Sequence, residues 1–175
     1  GKSQLEVFLP EKPSGRAIVG CPGGGYSHLA MNHEGYDWAD YFNSQGITYC
    51  VLTYRMPNGD RNIPLADAYN AIRTVRDSAV VWHVNPYDVG IMGFSAGGHL
   101  ASSPVVSMDE KETHKGSCVG FLGDGRSDKS LVKDWTNYNA VRRHLTPPAI
   151  ILMSADDAVV PPLTNGMRYY EAMRK

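Results

Sequence analysis

The sequence has 175 residues and carries 17 lysine and arginine residues against 18 aspartate and glutamate residues, a formal net charge of −1. This length suits one domain with a real hydrophobic core, so we expect a single domain over residues 1–175. The balanced charge and the scattered aromatic residues give no footprint for nucleic acid. No apolar stretch approaches the roughly 20 residues that span a bilayer, and no charged start leads into an apolar secretory segment. We therefore expect a soluble protein, whose compartment stays open because a signal peptide could have been removed.

Short β-branched runs alternate with segments of helical period, which is typical of a mainly parallel sheet with helices on both faces. The predicted strands of the first half are 5–9, 16–21, 47–54 and 89–92. The helical period predicts helices over 34–45, from residue 64 onwards, and over 96–103. Beyond residue 103 only 105–108 resembles a strand until 149–154, which predicts a further buried strand, followed by a helix from residue 163. The sequence therefore predicts an α/β fold.

The cysteines and histidines give no sign of a metal site. Cys21, Cys50 and Cys118 lack metal-ligand spacing, and the first two end or lie within apolar runs that predict buried strands. A disulfide scaffold is not expected. No pair of the six histidines has metal-ligand spacing with a carboxylate partner, so we expect no metal ion.

Residues 93–97 read Gly-Phe-Ser-Ala-Gly and fit the Gly-x-Ser-x-Gly nucleophile elbow, between a predicted strand and a predicted helix. In this motif the serine occupies a strained turn, so its hydroxyl projects from the sheet. Small residues two positions before and after it let adjacent backbone approach. The pattern predicts Ser95 as the nucleophile of an acyl transfer.

A run of three glycines, residues 23–25, follows the predicted strand 16–21. Lipases and esterases have their oxyanion loop at this point, where glycines leave backbone N–H groups uncovered to face a developing alkoxide. We assign the oxyanion donors to Gly24 or Gly25, together with the N–H of Ala96. Tyr26, at the end of this motif, and His28 are expected to contact the substrate.

Two aspartates lie just past the predicted strand 149–154, where a triad acid would follow the nucleophile in chain order. We prefer Asp156 as the acid that orients the histidine, since it comes first off the strand. Asp157 is then free to face solvent or to cap the next turn.

The catalytic base is the residue that the sequence does not supply. A triad histidine should come after the acid, yet none of the six histidines follows Asp157. His99, one turn into the elbow helix, is expected to pack behind the site, and a base at His28 would break the chain order. His33 flanks the glycine loop as His28 does, and three further histidines are expected to be solvated: His83, His114 and His144. We therefore predict no histidine ring nitrogen within hydrogen-bond reach of the Ser95 hydroxyl.

Four stretches of the sequence, 21–26, 53–55, 87–101 and 154–161, together resemble one family over nearly the whole chain. They are similar to bacterial α/β-hydrolase esterases related to acetyl xylan and feruloyl esterases, close to the hormone-sensitive-lipase type. The resemblance implies an α/β-hydrolase fold, acetyl or feruloyl esters of plant polysaccharide as substrates, and no cofactor. It implies the same site residues, with Ser95 as nucleophile and Asp156 as acid. The implied oxyanion donors are Gly24, Gly25 and Ala96.

Two departures from the family pattern concern missing segments. The family has a full strand and connection where this sequence passes directly from Ser103 to Pro104, and its catalytic histidine lies on a loop after a further strand. The chain ends at Lys175 inside a helical pattern with no stop signal. We therefore expect the sheet to lack an internal strand region and the C-terminal strand and helix. Such a sheet would expose an unpaired edge, and pairing with another copy is one way to cover it.

The leading hypothesis is a serine carboxylesterase that acts on small-molecule or carbohydrate esters, with neither nucleic acid nor membrane as partner. The stretch Asp-Asp-x-Val-Val-Pro also resembles serine peptidases of the prolyl oligopeptidase kind, but the sequence has no trace of their propeller domain. A third interpretation, a catalytically inactive hydrolase fold used for binding, rests only on the absent base.

Overall fold

The computed structural model describes residues 1–102, 121–130, 141 and 146–174. Four strands lie in this part of the chain: β1 (Gln4–Phe8), β2 (Ala17–Cys21), β3 (Thr48–Thr53) and β4 (Val89–Gly93). They form one sheet in the order β1-β3-β2-β4. β2 runs parallel to both β3 and β4, and β1 is antiparallel to β3. Each predicted strand of the first half is confirmed to within one residue at either end.

The parallel register brings the carboxyl ends of β2 and β4 together. Val19 lies opposite both Cys50 and Ile91, and Cys21 is paired with Gly93. Because parallel strands end at the same edge of a sheet, the loops that follow β2 and β4 meet there. This edge therefore receives both the glycine run and the serine elbow.

Helices cover both faces of the sheet, as predicted. These are α1 (Ala39–Ser44), α2 (Asn62–Asp77) and α3 (Ala96–Ser102), and a further helix without buried residues, α4 (Gly166–Met173), lies later in the chain. Side chains of β3 alternate between two apolar clusters, since successive residues of a strand point to opposite faces. Tyr49 and Val51 pack with α1 on one face, whereas Cys50 and Leu52 pack with α2 and α3 on the other. Among the helices in the described ranges, none is long and apolar enough to cross a membrane.

An ion pair with a buried carboxylate and a partly exposed guanidinium fixes the chain after β3 against α2. Asp67 is 2% exposed, and its carboxylate accepts hydrogen bonds from the backbone N–H of Arg55 at 2.9 Å and from the Arg55 guanidinium at 2.7 Å. Burial alone would raise the pKa of Asp67, but the hydrogen bonds and charge of Arg55 outweigh it and hold that pKa below its ordinary value. The pair therefore joins two elements that are 12 positions apart in the sequence.

Two predicted elements differ from the structure. Residues 149–154 have no regular secondary structure, and Ile150 and Leu152 are each 90% exposed. A strand requires a hydrogen-bonded neighbour, and no described residue pairs with this segment, so its β-branched composition alone does not produce one. The helix predicted over 34–45 begins later, with a 3-10 turn at Tyr36–Trp38 before α1, because residues 31–35 form turns. The strand-like fragment 105–108 lies outside the described residues.

Candidate active site

Ser95 occupies a strained, exposed turn between β4 and α3. Its φ is +50°, in the left-handed region that non-glycine residues rarely adopt. Only glycine fits two positions before and two positions after this serine. A Cβ on Gly93 would lie 2.1 Å from the carbonyl oxygen of Gly97, and a Cβ on Gly97 would lie 2.0 Å from the carbonyl oxygen of Cys21. The side chain of Ser95 is exposed. The geometry is that of a nucleophile elbow.

The glycine run after β2 forms a loop in backbone conformations that favour glycine. Gly24 has a φ of +133° and Gly25 one of +63°, and Tyr26 follows with +59°. A Cβ on Gly24 would lie 2.3 Å from the carbonyl oxygen of His28. A side chain at residue 24 would therefore force the loop to change shape.

This glycine loop, residues 22–26, lies directly against the serine elbow. A Cβ on Gly23 would lie 2.5 Å from the carbonyl oxygen of Phe94 and 3.0 Å from the Cβ of Ser95. The structure thus brings together the serine and the glycines that the sequence singled out separately. Contact this close leaves no room for a side chain at residue 23.

Three backbone N–H groups beside Ser95 have no acceptor within the described part of the chain: those of Gly24, Gly25 and Ala96. Ala96 is the first residue of α3, so its N–H has no acceptor within the helix. The neighbouring N–H of Gly23 differs, because it donates to the Glu34 carboxylate at 2.7 Å. Unpaired donors around a serine hydroxyl suit an oxygen that becomes negatively charged during a reaction.

A buried tyrosine anchors the glycine loop from β3. The hydroxyl of Tyr54, which is 2% exposed, donates to the carbonyl oxygen of Pro22 at 2.7 Å. Burial raises the pKa of Tyr54 far above its usual value, so this hydroxyl keeps its proton and remains a donor. The first residue of the loop is therefore fixed to the sheet.

A second buried pair joins the glycine loop to α3. The Tyr26 hydroxyl lies 2.6 Å from Nδ1 of His99, and the ring of Phe121 packs on both, with centroids 4.9 Å from Tyr26 and 4.8 Å from His99. Burial lowers the pKa of His99 to about 3, so the ring is neutral at ordinary pH. His99 packs behind the site, as predicted. The Tyr26 side chain is only 3% exposed and belongs to the core, and its contact with substrate stays a prediction.

The other predicted residues lie in different surroundings. His28 is exposed, with Nδ1 3.1 Å from the hydroxyl oxygen of Ser27. Asp156 is exposed and accepts a hydrogen bond from the Ser154 hydroxyl, which lowers the pKa of its carboxyl. Asp157 accepts hydrogen bonds from the backbone N–H groups of residues 159 and 160, at 2.9 and 2.8 Å. Asp157 therefore caps the turn, which is one of the two roles, solvent exposure or capping, that the sequence left open for it.

The described hydrogen bonds leave the Ser95 hydroxyl without a histidine partner. Across residues 1–102, 121–130 and 146–174, no histidine nitrogen bonds to it, and none joins Asp156 to a histidine. This agrees with the prediction for the four histidines in that range. His114 and His144 lie outside the described residues.

Sequence reasoning missed Glu34, whose carboxylate contacts the glycine loop. Its only sequence signal was the start of a predicted helix, and the structure places it in the turns before that helix. Its partner Gly23 is 11 positions away in the sequence, so only the folded structure reveals that the two residues are in contact. Within the same described ranges, no three histidine, cysteine or carboxylate side chains lie close enough to hold a metal ion.

Residues 5–118, more than half of the chain, match the sequence profile of the BD-FAE family. The chain belongs to the BD-FAE family. An acetylxylan esterase of Xylanibacter ruminicola is 54% identical over 193 residues, which include 99% of this chain and 40% of the relative. An endo-1,4-β-xylanase B of Butyrivibrio fibrisolvens is 28% identical over 88% of this chain and 29% of its own length. The chain thus spans less than half the length of these two curated relatives.

Solved structures show the same fold in this family of α/β-hydrolases. An acetyl ester-xyloside bifunctional hydrolase from Caldicellulosiruptor lactoaceticus superimposes with a TM-score of 0.86 at 30% identity, over 98% of this chain and 73% of that one. Esterase 2 of Thermogutta terrifontis, phosphonylated by sarin, gives a TM-score of 0.78 at 25% identity, over 98% of this chain and 74% of that one. The aligned stretch of 193 residues in the X. ruminicola enzyme is longer than this chain of 175. That enzyme therefore has residues within the aligned stretch that this chain lacks.

Proposed function

We propose that this protein is a serine esterase that hydrolyses carboxylic esters, with acetyl groups on plant polysaccharide as its substrate class. One observation carries the proposal: the strained, exposed Ser95 lies against a glycine loop, and the N–H groups of Gly24, Gly25 and Ala96 around it have no acceptor among the described residues. A reactive hydroxyl next to unpaired N–H donors is what acyl transfer needs.

In the proposed first half-reaction, the Ser95 oxygen attacks the ester carbonyl while a histidine base, which is not among the residues that the structure places at Ser95, accepts the hydroxyl proton. The carbonyl oxygen becomes an oxyanion and receives hydrogen bonds from Ala96 and from Gly24 or Gly25. As the tetrahedral intermediate collapses, its carbon–oxygen bond to the alcohol breaks, and the alcohol leaves with the proton from the histidine. An acyl group remains on Ser95, and Asp156 has the proposed role of orienting the histidine.

In the second half-reaction, water attacks the acyl group and gives a proton to the same histidine. The oxyanion forms again in front of the same donors, and its collapse releases the carboxylic acid and returns the proton to Ser95. The loop is suited to this task because its donors are held before the substrate arrives, so little reorganisation accompanies the reaction.

The relatives support the substrate class. The X. ruminicola relative is an acetylxylan esterase, and the C. lactoaceticus structure is of an acetyl ester-xyloside hydrolase. The T. terrifontis esterase is phosphonylated by sarin, a reagent that attacks active-site nucleophiles. Together with the glycine loop, these relatives favour an esterase over the peptidase alternative.

The test compares the wild type with Ser95→Ala on p-nitrophenyl acetate, acetylated xylo-oligosaccharide and a peptide anilide. We expect hydrolysis of both acetyl esters, little cleavage of the anilide, and a loss of about three or more orders of magnitude in Ser95→Ala. Ser44→Ala, which removes an exposed hydroxyl from α1, is the matched control and should keep full activity. Equal activity of Ser95→Ala and wild type would exclude the assigned nucleophile, and faster anilide cleavage would favour a peptidase.

A further inference from the structure

The carboxylate of Glu34 lies beside the nucleophile, in the wall of the glycine loop. Its Oε2 accepts the N–H of Gly23 at 2.7 Å. A Cβ built on Gly23 would lie 2.6 Å from that same Oε2 and 3.0 Å from the Cβ of Ser95. The carboxylate and the serine therefore both lie against the same glycine.

The N–H of Gly23 donates a hydrogen bond to Glu34, whereas the N–H groups of Gly24 and Gly25 have no acceptor among the described residues. Gly23 is buried, and its N–H would be left without a partner if the carboxylate were removed. A buried donor without a partner is costly, so the loop would rotate its peptides to find another acceptor. Such a rotation would also turn the N–H groups of Gly24 and Gly25, because they belong to adjoining peptides.

We propose that Glu34 is a positioning residue for ester hydrolysis. By holding the Gly23 N–H, it keeps the following two N–H groups directed at the oxygen that develops charge next to Ser95. This inference rests on the proposed function, and it assigns to Glu34 a role that acts through the loop and not on the substrate.

The property of Glu34 that matters is its acceptor oxygen and not its charge. A carboxylate near a developing oxyanion repels it, so the charge itself does not stabilise the transition state. The imidazole of His33 does not offset this charge, since its Nε2 lies 3.9 Å from the other carboxylate oxygen on a side chain that is 74% exposed. Glutamine has an amide oxygen at the same position, so Glu34→Gln should preserve the hydrogen bond.

Kinetics of three variants test the proposal with p-nitrophenyl acetate. In Glu34→Ala we expect kcat to fall on the order of 10- to 100-fold with KM changed less than about threefold, because misplaced donors act mainly on the transition state. Glu34→Gln should keep kcat within about threefold of the wild type. Asp37→Ala removes a nearby exposed carboxylate without touching the loop and should leave both constants unchanged.

Three kinetic results would overturn the proposal. A kcat of Glu34→Ala equal to that of the wild type would show that the loop does not need the bond. A rise in KM alone would make Glu34 a substrate contact. Equal loss in Glu34→Gln and Glu34→Ala would show that the charge is what matters.

Amide resonances provide a readout that does not depend on activity. In ¹H–¹⁵N spectra, the signals of Gly23, Gly24 and Gly25 should move in Glu34→Ala and stay near their wild-type positions in Glu34→Gln. If the wild type lacks esterase activity but these shifts occur, the proposed function fails, while the finding that Glu34 fixes the conformation of the glycine loop stands. Unchanged glycine signals in Glu34→Ala would refute that role even in an active enzyme.

Discussion

Gly97 and Gly98 are neighbours in α3, and the structure predicts a large loss of stability when alanine replaces the first and little change when it replaces the second. A Cβ on Gly97 would lie 2.0 Å from the carbonyl oxygen of Cys21 and 2.5 Å from that of Pro22. Both contacts are with backbone, so no side chain can move aside. A Cβ on Gly98 would meet only the Gly93 backbone, at 3.0 Å and beyond.

The magnitudes follow from two opposing effects. Alanine stabilises a helix interior by about 1 kcal/mol relative to glycine, whereas overpacking a tight core contact typically costs about 1–3 kcal/mol and sometimes more. For Gly97→Ala the contacts are with the central strand and the glycine loop, so we expect a net loss of at least about 2 kcal/mol. For Gly98→Ala the two effects nearly cancel, within about 1 kcal/mol.

Urea unfolding followed by circular dichroism measures the difference. With a slope of about 2 kcal/mol per molar urea, Gly97→Ala should lower the midpoint by about 1 M, and Gly98→Ala by less than half of that. Gly97→Ala should also slow ester hydrolysis, because the elbow and the glycine loop would be forced apart. Equal midpoints for the two variants would refute the close approach of α3 to the end of β2.

Two further predictions concern carboxylates. Asp156→Asn should reduce kcat far more than Asp157→Asn. Asp157 is occupied in capping the turn, where an asparagine oxygen can replace its carboxylate oxygen. The reverse ranking in a kinetic assay would move the acid to Asp157. The pKa of Asp67 is held below its ordinary value of 3.8, so its pair with Arg55 stabilises the fold above that pH and loses this contribution as the pH falls. Asp67→Asn should therefore flatten the loss of stability in thermal melts below about pH 4, whereas Asp40→Asn, at an exposed position, should not.

Local sequence pattern was sufficient for the four strands and the elbow. Buried strands such as β3 are continuous apolar runs between turn residues, and the glycines around Ser95 are required by contacts of the elbow itself. The segment 149–154 is an apolar run, as β3 is, but it has no neighbour among the described strands. Pattern alone could not reveal this, since strand formation depends on a partner elsewhere in the chain.

The candidate site also contains residues that local sequence pattern predicts and residues that it does not. The N–H groups of Gly24 and Gly25, which have no acceptor among the described residues, follow from a local rule, because glycine runs after a strand expose backbone donors. Glu34 could not be found by such a rule, since its contact with Gly23 depends on turns that delay the start of the helix. Tyr26 lies next to the glycines in sequence, yet its side chain turns into the core and bonds to His99. Proximity in the motif therefore did not settle which way that side chain points.

The most direct measurement of the central claim is covalent labelling by a fluorophosphonate, with the modified peptide identified by mass spectrometry. A nucleophilic Ser95 should displace fluoride and carry the phosphonyl group on its oxygen, as an active serine hydrolase does. We predict a single adduct on the peptide that contains Ser95, with no adduct in Ser95→Ala and undiminished labelling in Ser44→Ala. No adduct on the wild type, or an adduct on another residue, would contradict the assignment of Ser95 as the nucleophile of this fold.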